Sequence, residues 1–187
     1  MSDKRTDIIN ATLKVTNEFG FAGTSTDMIA KVANVGKGTI YKYFKSKEVL
    51  YSTLFDELTN KFMAFIVNHF QFNLDIQTNF RNIVYALVHY YIANPQEFRY
   101  LERYSDVSLN IDQRMDESTK LIEPIKKMMD ELDHGFKFKQ LPPLAIFAMT
   151  YGPLVAIVNL TLMGKIDLTD ELIYEIADSC WKSILVK

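Results

Sequence analysis

Cysteine occurs once in the 187 residues, at Cys180. That excludes an intramolecular disulfide and any metal site built from several thiolates, and a single thiol fits a reducing cytoplasm, where the chain is expected to reside. The three histidines, His69, His89 and His134, stand at no metal-ligand spacing, and no cofactor pattern is present. Glycine and proline are scarce, at 7 and 5 residues, and neither an internal repeat nor a low-complexity tract is found. The opening MSDKRTDIIN lacks an apolar run of signal-peptide length, so secretion is not expected. Only residues 141–164 run as far as 24 positions without a charge. Pro142, Pro143, Gly152, Pro153 and Asn159 interrupt that run and no second one exists, so it reads as a helix buried in a core or an oligomer interface, with no membrane partner. Alternating strand patterns are absent too, which leaves an all-α fold.

What is present is the composition of a soluble globular protein, 48% hydrophobic and 24% charged, long enough for a sizeable core. The net charge of −2 is unevenly spread. Residues 1–50 hold eight Lys/Arg against five Asp/Glu, net +3, and the remainder holds thirteen against eighteen, net −5. A basic quarter on an acidic body suits a small unit that meets a polyanion.

Ile8, Ala11, Val15 and Phe19 form the first helical stripe, which Gly20 stops so that Phe21 packs back. Thr24, Ser25 and Thr26 offer hydroxyl caps for a short helix over 27–33, Asn34-Val35-Gly36 is turn chemistry, and a second short helix follows over 37–44. Ser46 caps a long helix whose stripe carries Tyr51, Leu54, Phe55, Leu58, Phe62, Phe65, Ile66 and His69. About 22 residues at 1.5 Å each span roughly 33 Å. Further helices are expected over 79–93, stopped by Pro95, then 96–108, 112–133, 144–163 and 169–186, the last capped by Thr169. Pro124 and Pro153 fall inside helical patterns and predict kinks or local breaks.

Between Gly36 and Lys47 stand four lysines, two tyrosines and two glycines with no acidic residue. A nucleotide P-loop is excluded, because Gly38 follows Lys37 where a hydroxyl residue is required and Lys31 occupies the place of the upstream glycine. The alternative is a helix-turn-helix: two short helices around a tight turn, the second basic. Its residues suit phosphates. The glycines permit close backbone approach, Lys37, Lys42 and Lys47 neutralise charge, and Thr26, Thr39, Tyr41 and Tyr43 donate hydroxyl hydrogen bonds, while Ile40 and Phe44 face inward. A solvated basic helix on an ordinary bundle is the plainer reading of the same residues.

The segment IINATLKVTNEFGFAGTSTDMIAKVANVGKGTIYKYFKSKEVLY resembles the N-terminal region of TetR-family transcriptional regulators. The likeness rests on Phe19-Gly20-Phe21, Thr24-Ser25-Thr26, Ile29-Ala30, Val35, Lys37-Gly38-Thr39-Ile40-Tyr41, Tyr43-Phe44 and Ser46-Lys47-Glu48. It implies an α-helical homodimer with a helix-turn-helix DNA-binding domain over 1–46 and a ligand-binding and dimerisation domain over 47–187. It also implies repression of transcription, with release from a near-palindromic double-stranded DNA operator when a small molecule binds. Carried over by position, the DNA-facing residues are Thr26, Lys37, Gly38, Thr39, Tyr41, Lys42, Tyr43 and Lys47. Three positions depart from the family pattern. Asp27 stands where an arginine often reaches a base, so that contact is either absent or becomes a cytosine reader. Asn34 replaces a turn glycine, which its tolerance of left-handed geometry allows. Gly36 replaces a capping serine.

Aromatics and methionines crowd the rest of the chain. A small hydrophobic or aromatic ligand is expected among the middle helices, lined by Phe62, Tyr85, His89, Tyr104, Phe147 and Tyr151, and His69, His89 and Tyr151 are the positions that carry polar atoms on otherwise apolar stripes. A homodimer is expected through the last two helices, from 144–163 and the stripe Ile173, Ile176, Ala177, Cys180 and Ile184. An enzyme is not expected: His134 beside Asp130 and Asp133, or Glu97 with Glu102, forms no recognised catalytic spacing. A helical ligand-binding or interaction module without DNA binding accounts for the bundle but not for Lys37-Gly38-Thr39.

Overall fold

A computed structural model describes residues 3–107 and 135–186 of the chain. Among them eight helices are found and no strand: α1 Lys4–Gly23, α2 Thr26–Val32, α3 Lys37–Tyr43, α4 Lys47–His69, α5 Ile76–Ala93, α6 Pro95–Val107, α7 Pro143–Leu162 and α8 Asp170–Ile184. The all-α expectation holds. The helix read over 112–133, Pro124, Asp130, Asp133 and His134 lie outside the described residues. The rest falls into two compact units, one of residues 3–62 with 95–107, the other of residues 63–94 with 135–186.

The first unit is built from local stops and caps. Gly20 adopts φ 69° and ψ 170°, a conformation nearly confined to glycine, and α1 bends there before one further turn. The Thr24 hydroxyl donates to the Gly20 carbonyl at 2.6 Å, fixing the bend. Phe21 thereby enters the core, its ring 5.1 Å from Tyr51, 5.2 Å from Tyr100 and 5.6 Å from Tyr104. Of the three candidate caps for α2, the Ser25 side chain accepts from the Met28 amide at 3.2 Å. Ser46 accepts from the Val49 amide at 3.2 Å and starts α4 as expected.

Helix α5 ends at Ala93, short of Pro95, as expected, and Pro95 is itself the first residue of α6, one position earlier than expected, where a missing N–H breaks no intrahelical bond. Helix α6 packs against α1 within the first unit, with Phe98 and Tyr100 fully buried. Asn17 Nδ2 donates to the Gln96 carbonyl at 3.0 Å, and Lys61 meets Glu97 at 2.7 Å.

In the second unit α5 begins at Ile76 rather than 79, because Asp75 caps it by accepting from the Thr78 amide at 2.9 Å. Asn79 is buried and ties the preceding turn together: it accepts from the Gln71 amide at 2.7 Å and donates to the Gln71, Leu74 and Asp75 carbonyls. Helix α7 starts with Pro143 and continues as one helix through Pro153, so the chain does not break there. Thr169 caps α8 as predicted, accepting from the Leu172 amide at 3.2 Å.

Helix α8 packs against α5 and α7. Its Ile173, Ala177, Cys180 and Ile184 are all no more than 3% exposed, so most of the stripe expected at a dimer interface is instead the core of its own unit. Of the last two helices, α7 carries the more outward apolar surface. By length and composition Leu144–Leu162 could cross a membrane, yet only 17% of its apolar window is buried. Gly152, Ala156, Leu160 and Met163 form an exposed row along it at helical spacing. Beside that row lies an open groove of about 320 Å³ lined by Met149, Pro153, Glu175, Ile176, Ser179, Cys180 and Ser183.

Candidate nucleic-acid interface

Helices α2 and α3 are seven residues each, too short to be stable alone, and their position depends on what they bury. Ile29 is fully buried, Ala30 nearly so, and Ile40 and Phe44 retain 1% and 3% exposure in the same core as Ile8, Val15 and Leu54. The turn between them needs Asn34 at φ 52°, the left-handed geometry expected of this asparagine. Gly36 precedes α3 without a side-chain cap.

With Ile40 and Phe44 pinned inward, the remaining side chains of α3 project to solvent. Lys37, Gly38, Tyr41, Lys42 and Tyr43 are exposed and Thr39 is half-buried. The two tyrosines are unusual for an aqueous surface, at 48% and 46% exposure. Six of the eight predicted DNA-facing residues thus share one short exposed element. Thr26 differs, being 9% exposed at the start of α2, the least accessible of the eight. Lys47 is also partly committed: its ammonium donates to the Thr24 carbonyl at 3.2 Å and lies 5.7 Å from the Tyr51 ring centroid. An ammonium has three donors, so this anchoring leaves capacity for an anion.

Sequence reasoning missed one relationship. Lys37 Nζ lies 2.8 Å from Asp27 Oδ2, joining the second residue of α2 to the first of α3. Hydrogen bonding to Asp27 and its charge raise the Lys37 pKa, which keeps the ammonium protonated. Asp27 is the only acidic residue between Thr24 and Lys47, and that isolation was the available signal.

The six residues predicted to line a ligand site divide between the units. Phe62, 9% exposed, and Tyr104 belong to the first, where Tyr104 stacks on Tyr100 at 5.9 Å and meets the tilted ring of Phe55 at 4.8 Å. The other four lie in the second. Tyr85 stacks on Tyr174 at 5.1 Å and leans on His89, whose Nε2 is 3.5 Å from Asp170 Oδ1. Phe147 stacks on Tyr151 at 4.8 Å, and the Tyr151 and Tyr91 hydroxyls are 3.1 Å apart. Cys180 is buried, which pushes its thiol pKa up and leaves it protonated.

Comparison with known proteins bears on the same regions. Residues 8–54 match the family described as bacterial regulatory proteins, tetR family, and residues 55–186 match the tetracyclin repressor-like C-terminal domain. An uncharacterized HTH-type transcriptional regulator of Bacillus subtilis, YhgD, is 33% identical over 88 residues, covering 47% of this chain and 46% of that protein. The biofilm operon negative regulator IcaR of Staphylococcus epidermidis is 28% identical over 108 residues, covering 58% of this chain and 54% of that protein. The matched segment thus spans about half the length of these curated relatives. A TetR family transcription regulator from Marinobacter aquaeolei shares the fold, with a TM-score of 0.87 at 22% identity over 98% of this chain and 96% of that one.

Proposed function

Since the chain belongs to the TetR family of bacterial transcription regulators, we propose that it is a repressor that grips a near-palindromic duplex operator through α2 and α3 and lets go when a small hydrophobic molecule binds. It is a regulator, not an enzyme. The observation that carries the reading is α3 itself. Seven residues hold two lysines and two exposed tyrosines outward, while Ile40 inside and Phe44 just beyond lock the helix to the core. Lys42 and Lys47 neutralise phosphates, Lys37 brings its ammonium to the same face, and Thr26, Thr39, Tyr41 and Tyr43 position the unit by hydroxyl contacts, with Gly38 admitting the backbone closely. Such a protein works beside the chromosome, in the cytoplasm.

Two copies pair through the exposed α7 row of Gly152, Ala156, Leu160 and Met163. A run interrupted by Gly152, Pro153 and Asn159 suits a protein partner better than lipid, and a second copy supplies a self-complementary one. Two recognition helices about 34 to 36 Å apart then reach successive major-groove faces.

The ligand reading draws on the second unit, where the half-buried Tyr85 and Tyr151 hold hydroxyls beside the rings of Tyr174 and Phe147. Helix α4 supplies Lys47 to Phe62 to the first unit and Met63 to His69 to the second, which gives a covalent route between ligand and DNA. A hundredfold preference of the ligand for the DNA-incompetent form, about 2.7 kcal/mol, is enough for a marked release.

The deciding experiment is a mobility shift with DNA from upstream of the chain's own coding sequence, repeated across a salt series. Six to eight phosphates neutralised per dimer give a slope of log affinity on log salt of roughly −5 to −7. A nearly flat dependence overturns the reading. A thermal-shift screen of hydrophobic compounds, with each hit carried into the mobility shift, tests release; hits that stabilise the protein yet leave DNA binding intact overturn the coupling.

A further inference from the structure

A carboxylate is out of place on a surface that meets phosphates. It accepts hydrogen bonds and has none to give, so a phosphate oxygen offers it only repulsion. On duplex DNA its possible partners are the exocyclic amino groups that cytosine and adenine turn into the major groove. Asp27 is 68% exposed by its side chain, and the partner it has, Lys37, is 49% exposed, so neither is withdrawn from the surface by their 2.8 Å contact. Lys37 is moreover the first residue of α3, and the N-terminal residues of a recognition helix are those that reach base edges.

The pair has a complement in the groove. An acceptor and a donor side by side, about 2.8 Å apart, mirror an amino group and a carbonyl oxygen held at similar separation across a base pair. We propose that Asp27 and Lys37 together read one C·G base pair in each half-site, the Asp27 carboxylate accepting from cytosine N4 and the Lys37 ammonium donating to guanine O6 and N7. Guanine presents two acceptors next to each other to the single ammonium. In an A·T pair the acceptors stand on either side of the adenine amino group, and the thymine methyl crowds the oxygen. Mutual neutralisation lets the pair approach the DNA with no net charge, and the ion pair holds both side chains in place before contact.

This rests on the DNA-binding role proposed above, and the test separates the two. The full-length protein and its Asp27→Asn and Lys37→Gln variants are each put through selection from randomised duplexes, followed by affinity measurements on the selected site and on its single-pair changes. The unaltered protein is expected to require C·G at one position of each half-site, with a loss of roughly tenfold or more on replacement by A·T. Asp27→Asn is expected to shift that one position towards adenine, which an asparagine amide reads, and Lys37→Gln to relax the guanine requirement, with every other position unchanged. Both side chains are exposed, and circular dichroism melts confirm that each variant is folded. If the three proteins select the same sequence and differ only in affinity, the ion pair is a staple between helices and the base-reading proposal fails. A wild-type preference for A·T at the affected position also overturns it. If the unaltered protein selects no sequence and binds DNA without salt dependence, it is the DNA-binding role itself that fails.

Discussion

The Tyr100 hydroxyl, on α6, donates a 2.9 Å hydrogen bond to the main-chain carbonyl of Tyr51, on α4, 49 residues earlier. Tyr100 is 1% exposed, and burial raises its hydroxyl pKa far above any accessible pH, so it remains a donor throughout. The helix-turn-helix is therefore braced by a helix distant in sequence. Replacing Tyr100 by phenylalanine keeps the ring packing and deletes the bond. The expected cost is about 1 kcal/mol. That lowers Tm by about 2–4 °C for a chain of this size, read from a thermal melt. An unchanged Tm would show that the ring alone provides the brace.

Gly20 supplies a second test. An added Cβ meets no atom within 4 Å, so space does not forbid alanine; the backbone does. Its φ of 69° with ψ 170° is strained for any L side chain, and Gly20→Ala is expected to cost about 1–3 kcal/mol in urea unfolding. A cost below a few tenths would mean that the bend is not held by this residue.

The cap of α5 makes stability depend on pH. Hydrogen bonds from the Thr78 hydroxyl and amide lower the Asp75 pKa in the folded state. A lowered folded-state value means that the stabilisation is complete above the ordinary carboxylate range and disappears as pH falls through the lowered value. Asp75→Ala is expected to melt below the wild type at neutral pH, with the two curves converging in acid. A gap that persists at the acid end would assign the loss to something other than the charged cap.

The α7 row tests assembly. Ala156→Glu combined with Leu160→Glu places two charges on the exposed stripe and disturbs no buried residue. Light scattering is expected to show a dimer for the wild type and a monomer for the variant, with helicity unchanged. A wild-type monomer at micromolar concentration would remove the basis for paired recognition helices.

The sequence by itself determined what short-range chemistry controls. Gly20, Ser25, Asn34, Ser46 and Thr169 act through their own backbone torsions or through an amide three residues away, so the stops and caps of α1, α2, α4 and α8 were legible. The outward Lys37, Tyr41 and Tyr43 followed equally from helical spacing against the inward Ile40 and Phe44. Pro95 marks both the stop of α5 at Ala93 and the start of α6, since a missing N–H suits a helix end and a helix start alike, but that α6 then packs on α1 no local pattern states. Tertiary structure also decided that Ile173, Ala177, Cys180 and Ile184 face their own core, since an apolar stripe does not state which surface covers it. It placed Tyr104 among Phe21, Phe55 and Tyr100. Above all it set Asp27 against Lys37: the relative orientation of α2 and α3 comes from the burial of Ile29, Ile40 and Phe44, and no local pattern in either helix encodes the 2.8 Å that results.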